Sequence, residues 1–267
     1  MILTDFRERY GPWAVIAGGS QGLGAAFADQ LAEQGFNLTL SARNAEVLGT
    51  FAAGLRERWP SIVVKTVASD LSTAEGVEAL IDATLGDEVG LFIHNAGTGT
   101  RMQPFLDLPF QYHANLLSLN ATSMLELAYH FARPMGGRGR GGMVIVGSLA
   151  GLGGQYGLTT YAAVKAFSRV FCEGFWFEMK PHGVDVLALT PGGIETPSRQ
   201  RDFPQVTGTG MSPADVAREA LANIANGPVY FPGPNGEKAR AIRAMDFGEA
   251  VEAAYHRNAA FRGETTS

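Results

Sequence analysis

The chain has 267 residues, with 21 Lys and Arg against 26 Asp and Glu, so its formal net charge is −5. Hydrophobic residues make up 46% and charged residues 18%, which excludes a disordered chain. The acidic balance excludes nucleic acid as the main partner, because neutralising phosphates needs a basic surface.

Glycine is the compositional oddity: 34 residues, nearly twice the usual share of about 7%. No Gly-X-Y period accompanies it, so it marks sharp turns and close backbone approaches. The N-terminus meets Asp5, Arg7, Glu8 and Arg9 at once and does not resemble a secretion signal. A lone cysteine, Cys172, suits a reducing compartment, and a cytoplasmic location is expected.

In chain order, short apolar runs alternate with stretches of helical length. Trp13–Ala17, Leu38–Leu40, Ile62–Val67, Leu91–Ile93, Met143–Val146, Val184–Leu189 and Val229–Phe231 read as strands, several of them continuous enough to be covered on both faces. Between them Gly24–Gln34, Ala74–Leu85, Ser118–Ala132, Tyr161–Glu178 and Pro213–Ala225 read as helices. Such alternation predicts an α/β chain, a Rossmann-type doubly wound parallel sheet with helices on both faces, in one domain over 1–267. The uncharged stretch Gly141–Val164 carries too many glycines and polar residues for a membrane span, and reads as a buried strand entering a pocket. The glycine cluster Gly136–Gly142 reads as an exposed loop.

The first strand runs into Gly18-Gly19-Ser20-Gln21-Gly22-Leu23-Gly24, a glycine turn that lets a pyrophosphate approach backbone at a helix start. After the second strand an NAD site usually shows an acid. Here Ser41-Ala42-Arg43 stands instead, and a guanidinium suits a 2′-phosphate, with Ser41 adding a hydrogen bond. NADP(H) is therefore expected over NAD(H). Tyr161 and Lys165 are four apart on a helix and share one face, where an ammonium favours the phenolate. Ser148 ends a buried strand, placed to hold the same substrate oxygen.

With those residues in view the sequence resembles the short-chain dehydrogenase/reductase family over nearly its whole length. The entry Arg9–Val15 and Ser41-Ala42-Arg43 resemble its hydroxysteroid dehydrogenase and long-chain 3-oxoacyl reductase branch. The resemblance implies a seven-stranded parallel sheet, with Gly18, Ser20, Gln21, Gly22, Leu23 and Gly24 as the cofactor turn. It also implies Asp70 and Leu71 near the adenine, and Asn95, Ala96 and Gly97 as the stretch similar to the family's N-N-A-G, with His94 departing from it. Pro191, Gly192, Ile194 and Thr196 would hold the nicotinamide carboxamide. Tyr161 would be general acid/base, Ser148 the substrate-oxygen holder and Asn120 the anchor of a proton relay. Lys165 would bind the nicotinamide ribose and depress the Tyr161 pKa.

The reaction implied is interconversion of a ketone and a secondary alcohol on a small, lipophilic molecule. A cofactor-sensing regulator or an epimerase on the same fold are the alternatives. The substrate pocket is expected from Thr98–Met102, Leu149–Tyr156 and a lid over 198–211. Leu149, Leu152, Tyr156, Phe203 and Met211 would supply apolar surface, while Arg101, Arg199 and Arg201 face solvent. Five scattered histidines imply no metal site. Cys172 reads as a core residue, and Lys238, Arg240 and Arg243 as a solvated helix face. Phe167, Phe171, Phe175, Trp176 and Phe177 are too many for one core-facing stripe, so a homodimer or homotetramer is expected.

Overall fold

The computed structural model describes residues 3–97 and 101–262. Its centre is a seven-stranded parallel sheet in the order β3-β2-β1-β4-β5-β6-β7. The strands are β1 (Trp13–Ala17), β2 (Asn37–Ala42), β3 (Val64–Ala68), β4 (Val89–His94), β5 (Gly141–Val146), β6 (Val184–Leu189) and β7 (Val229–Tyr230). The order reverses between β1 and β4, so the two carboxyl ends diverge there and open a crevice.

The helices are α1 (Leu3–Tyr10), α2 (Gly22–Glu33), α3 (Ala45–Arg58), α4 (Ala74–Asp82), α5 (Phe110–Leu117), α6 (Ser123–Arg138), α7 (Thr159–Met179), α8 (Pro197–Asp202), α9 (Pro213–Ala222), α10 (Asn235–Ala244) and α11 (Phe247–Arg257). None of those described is long and apolar enough to cross a membrane. Successive residues of β1 point to opposite faces, as strand geometry requires. Ala14 and Ile16 join one core with Phe27, Leu31 and Leu40, while Val15 and Ala17 join the other with Phe92, Leu127 and Phe131. Central strands are apolar throughout because both faces are covered. Edge strand β3 alternates buried and open positions instead.

Two segments differ from the sequence reading. The expected helix 118–132 is α6, entered through a π-turn over Ser118–Thr122. The expected exposed loop Gly136–Gly142 is the end of α6 and the start of β5. The helix continues through Pro134 and closes at Gly139, whose φ of 71° is left-handed. There the Gly139 N–H reaches Gly136 O at 3.2 Å and the Arg140 N–H reaches Met135 O at 3.3 Å, the paired bonds of a glycine C-cap. Gly141 and Gly142 are buried, because Cβ atoms there would lie 2.7 Å from Met135 and 2.8 Å from the Tyr10 ring. These glycines seal the base of the sheet.

Candidate active site

At the carboxyl end of β1 the chain turns through Gly18 (φ 82°) and Gly22 (φ 56°), conformations that L side chains rarely adopt. The Gly18 and Gly19 N–H groups both donate to Ser41 O, at 2.8 and 3.0 Å, tying the turn to β2. Asn95 donates from Nδ2 to Gly18 O at 2.8 Å, tying it to β4. A Cβ on Gly24 would sit 1.9 Å from that same oxygen. Gln21 caps α2 without a side-chain hydrogen bond, so the first-turn N–H groups of the helix stay available to an anion.

Gly18, Ser20, Gln21, Gly22, Leu23, Asn95, Ala96 and Gly97 all line one cavity of about 1410 Å³. Arg43 enters it from the end of β2. Ser41 lines the cavity beside it, a buried residue whose hydroxyl shares a 3.1 Å hydrogen bond with Ser69. Asp70 does not line the cavity, although Ser69 and Leu71 on either side do. Partial burial would raise its carboxyl, but the Ser72 N–H and hydroxyl and the nearby Arg43 charge hold it below the ordinary value.

At the other end of the cavity β5 delivers Ser148, whose hydroxyl accepts the Ala150 N–H at 3.2 Å. Tyr161 and Lys165 face it from α7, one helical turn apart. Lys165 Nζ donates to Val146 O at 2.9 Å and lies 5.8 Å from the Tyr161 ring centre. Burial lowers its pKa to about 8.

The Tyr161 phenol departs from expectation. Burial raises it above the ordinary 10.0, the Ser148 hydrogen bond opposes the rise, and Tyr112 adds to it. Asn120 sits in the π-turn, with Nδ2 donating to Leu116 O at 3.0 Å and Oδ1 buried without a partner among the described residues. A buried acceptor left open calls for a water or another donor. Behind Lys165, His94 is buried 3.4 Å from Ser123 Oγ, and burial together with the Lys165 charge pushes its pKa down to about 3.

Pro191, Gly192, Ile194 and Thr196 line the cavity beyond β6. The Thr196 hydroxyl accepts the Arg199 N–H at 3.2 Å and opens α8. From there the 198–211 segment folds back, with Met211 N–H on Gly193 O and Glu195 N–H on Met211 O, each at 2.9 Å.

Arg199 does not face solvent as expected: it pairs with Glu195 and donates to Thr209 Oγ1 at 2.8 Å, bracing the segment. Arg201 bonds Asp202 at 2.9 Å, and Arg101 lines a side cleft with Arg43 and Tyr112. The expected pocket residues Thr98 to Thr100 lie outside the described residues. Leu149 and Phe203 line the cavity, whereas Leu152, Tyr156 and Met211 do not.

Met102 and Gln155, inside the expected pocket loops, line the cavity, and Gln155 Oε1 accepts from Asn258 Nδ2 at 3.1 Å. The sequence reading missed Leu158, Ile242, Met245 and Phe261, which complete the apolar end. For Ile242 the only signal is the helical spacing of α10, which many surface helices share.

A glycine turn with an open helix N-terminus, an orphaned acceptor and a buried Tyr–Lys pair on one crevice fit a nicotinamide dinucleotide. They define the class as an oxidoreductase acting on hydroxyl or keto groups. The chain belongs to the short chain dehydrogenase family, whose pattern residues 12–207 match.

It is 28% identical to a 7beta-hydroxysteroid dehydrogenase of Clostridium sardiniense, over 92% of this chain and 95% of that protein. It is 35% identical to a very-long-chain 3-oxoacyl-CoA reductase of Podospora anserina, over 66% of this chain and 53% of that protein. Among solved structures, one from a study of 7beta-hydroxysteroid dehydrogenase stereoselectivity superposes with a TM-score of 0.87 at 26% identity, over 93% of this chain and 98% of that one. A short-chain dehydrogenase from Sphingobium yanoikuyae in complex with NADPH superposes with a TM-score of 0.78 at 26% identity, over 88% and 96%.

Proposed function

We propose that the chain, as one catalytic domain, is an NADP(H)-dependent carbonyl reductase and alcohol dehydrogenase acting on a lipophilic ketone or secondary alcohol. The observation that carries this reading is the convergence of Ser148, Tyr161 and Lys165 on a cavity that Arg43 enters directly after β2, a strand that ends at Ala42 without an acid. Met102, Leu149, Leu158, Ile242 and Met245 make its near end apolar. The likeness to hydroxysteroid and very-long-chain oxoacyl enzymes and to an NADPH complex supports the same reading.

When bound, the cofactor supplies or accepts a hydride at the substrate carbon. The protein manages the oxygen. Ser148 Oγ and Tyr161 Oη hold the carbonyl oxygen, and Tyr161 Oη gives it a proton during reduction. Lys165 Nζ, close to neutral-range titration at about 8, returns a proton towards that hydroxyl. Asn120 Oδ1 supports the water that feeds it. Burial holds the phenol above its ordinary value, so Tyr161 carries its proton at neutral pH.

Leu125 and Tyr129 on α6 and Phe167, Val170 and Phe177 on α7 are exposed, and a second copy covers this apolar surface in a homo-oligomer. The buried, free Cys172 suits a cytoplasmic enzyme.

The test follows NADPH oxidation at its absorbance band against a panel of steroid and long-chain ketones. Wild type should turn over at least one, and Tyr161→Phe should lose about 10³-fold in kcat while binding NADPH as before. Retained kcat in the variant would overturn the assignment.

A further inference from the structure

The basic side chains of the substrate end are arranged for more than a ketone. Helix α10 presents one face to the cavity: Asn235, Lys238, Ala241, Ile242 and Met245, at the three- and four-residue spacing of a single stripe. Asn235 anchors that stripe beside the nicotinamide-side turn, since a Cβ on Gly192 would lie 2.7 Å from its Oδ1. One turn further along, Lys238 stands in an otherwise apolar run. Arg257, at the end of α11, lines the same cavity. Its neighbour Asn258 bonds Gln155, in the loop that joins Ser148 to Tyr161. Both cations therefore lie at the substrate end and not beside the glycine turn.

Both side chains are exposed, and among the described residues neither forms an ion pair. Arg240 has Glu237 three residues before it and Arg243 has Asp246 three residues after it, the spacing of surface ion pairs. Lys238 and Arg257 have no acid three or four residues away on either side. Among the described residues lining the cavity, Asp202 is the only carboxylate, and it is held by Arg201 at 2.9 Å and Ser198 at 3.0 Å. Arg199 is taken by Glu195, and Lys165 by Val146 O. In a chain of net charge −5, two unpaired cations facing one apolar cavity are an anion receptor.

We infer that the substrate is an amphipathic anion: a lipophilic ketone or alcohol that also carries a carboxylate or phosphate, received by Lys238 with Arg257 behind it. Lys238 is then a specificity-determining residue remote from the reacting carbon, and its contribution falls on KM more than on kcat. The inference rests on the proposed carbonyl reduction.

Two matched pairs of ketones test it with NADPH. One pair is a keto steroid with a side-chain carboxylate and its methyl ester. The other is a 3-oxoacyl coenzyme A thioester and its uncharged N-acetylcysteamine analogue. Wild type should favour the charged member of one pair by about tenfold or more in kcat/KM, and that pair identifies the carboxylate or the phosphate as the anion. Lys238→Met should erase the preference by raising the KM of the charged member, while Lys238→Glu should invert it.

Equal use of charged and neutral members by wild type overturns the inference while the carbonyl reductase reading stands. So does a Lys238→Met variant that keeps the preference. No turnover of any of the four ketones removes the functional reading and the inference together.

Discussion

The two ends of the cavity are built from different materials. The cofactor end is backbone: Gly18, Gly22 and Gly24 at a strand end, N–H groups at the start of α2, and Ser41 O receiving two amide donors. The substrate end is side chain: Met245, Ile242, Phe203 and Phe261 from helices and turns that follow β6. Backbone approach demands residues without a Cβ, so the first end is rigid in composition. A wall of side chains can exchange one apolar group for another, so the second end is free to specialise.

The largest expected effect attacks the backbone end. Gly24→Ala places a methyl group 1.9 Å from Gly18 O, and forced overpacking of that kind costs about 1–3 kcal/mol. A thermal melt should fall by several degrees and NADPH binding should be lost. By contrast Gly97→Ala, whose added Cβ would meet nothing nearer than 3.9 Å, should leave the melt unchanged. If both variants melt like wild type, the glycines are not a packing constraint and the contrast between the ends fails.

Next in size, Arg43→Ala should raise the NADPH KM about tenfold or more, the scale of a lost charge-assisted hydrogen bond, and leave the NADH KM alone. Parallel kinetics with the two cofactors decide it, and equal losses would return Arg43 to the solvent.

A smaller effect belongs to the substrate end. Arg199→Ala releases Glu195 and Thr209 and slackens the segment between Thr196 and Met211. Substrate KM should rise several-fold while NADPH KM holds; a change in the cofactor constant alone would show that the segment serves the other end.

The last effect is read from stability against pH, away from both ends of the cavity. His94 is held neutral with a pKa of about 3 against an ordinary 6.5, so the unfolded chain takes up this proton first. Its contribution is complete above pH 6.5 and is lost as pH falls towards 3. His94→Asn should flatten the decline in urea midpoint between pH 7 and pH 4.5, and an unchanged slope would show that His94 is not held neutral.

The same division decides what could be read from the chain alone. All seven strands fall on their apolar runs, because a strand covered on both faces leaves a continuous hydrophobic stretch; β1 and β6 match end to end, while β4 and β5 begin two residues before their runs and edge strand β3 two residues after. The glycine turn was legible because glycine has few other reasons to cluster after a strand.

Gly136–Gly142 misled for the same reason. Glycine records that something comes close, and at Gly142 the close neighbour is Tyr10 and not a ligand. Arg199, Lys238 and Asn258 were illegible as site residues, since a charged or amide side chain on an amphipathic helix carries no sign of which cavity it faces. The elevated Tyr161 pKa was illegible too. It depends on how much water the folded crevice excludes, a quantity that Y-x-x-x-K spacing does not encode.

The π-turn at Ser118–Thr122 sets a limit on how this chain can vary in length. Helix α5 buries His113 and Leu116, and α6 buries Met124, Leu127, Phe131 and Met135. The two faces stay in phase only with the wider turn between them, since each residue of an α-helix advances by about 100°. The wider turn holds one residue more than a regular helix would need, so a deletion within it would let the turn close to α geometry with the buried side of α6 still on the sheet, whereas a deletion further along α6 would swing one side of it away. Substitutions across this stretch are a matter of local packing, whereas a single-codon deletion is a matter of register. The middle of a helix, where gaps look alike on paper, can absorb one at the π-turn and not a turn later.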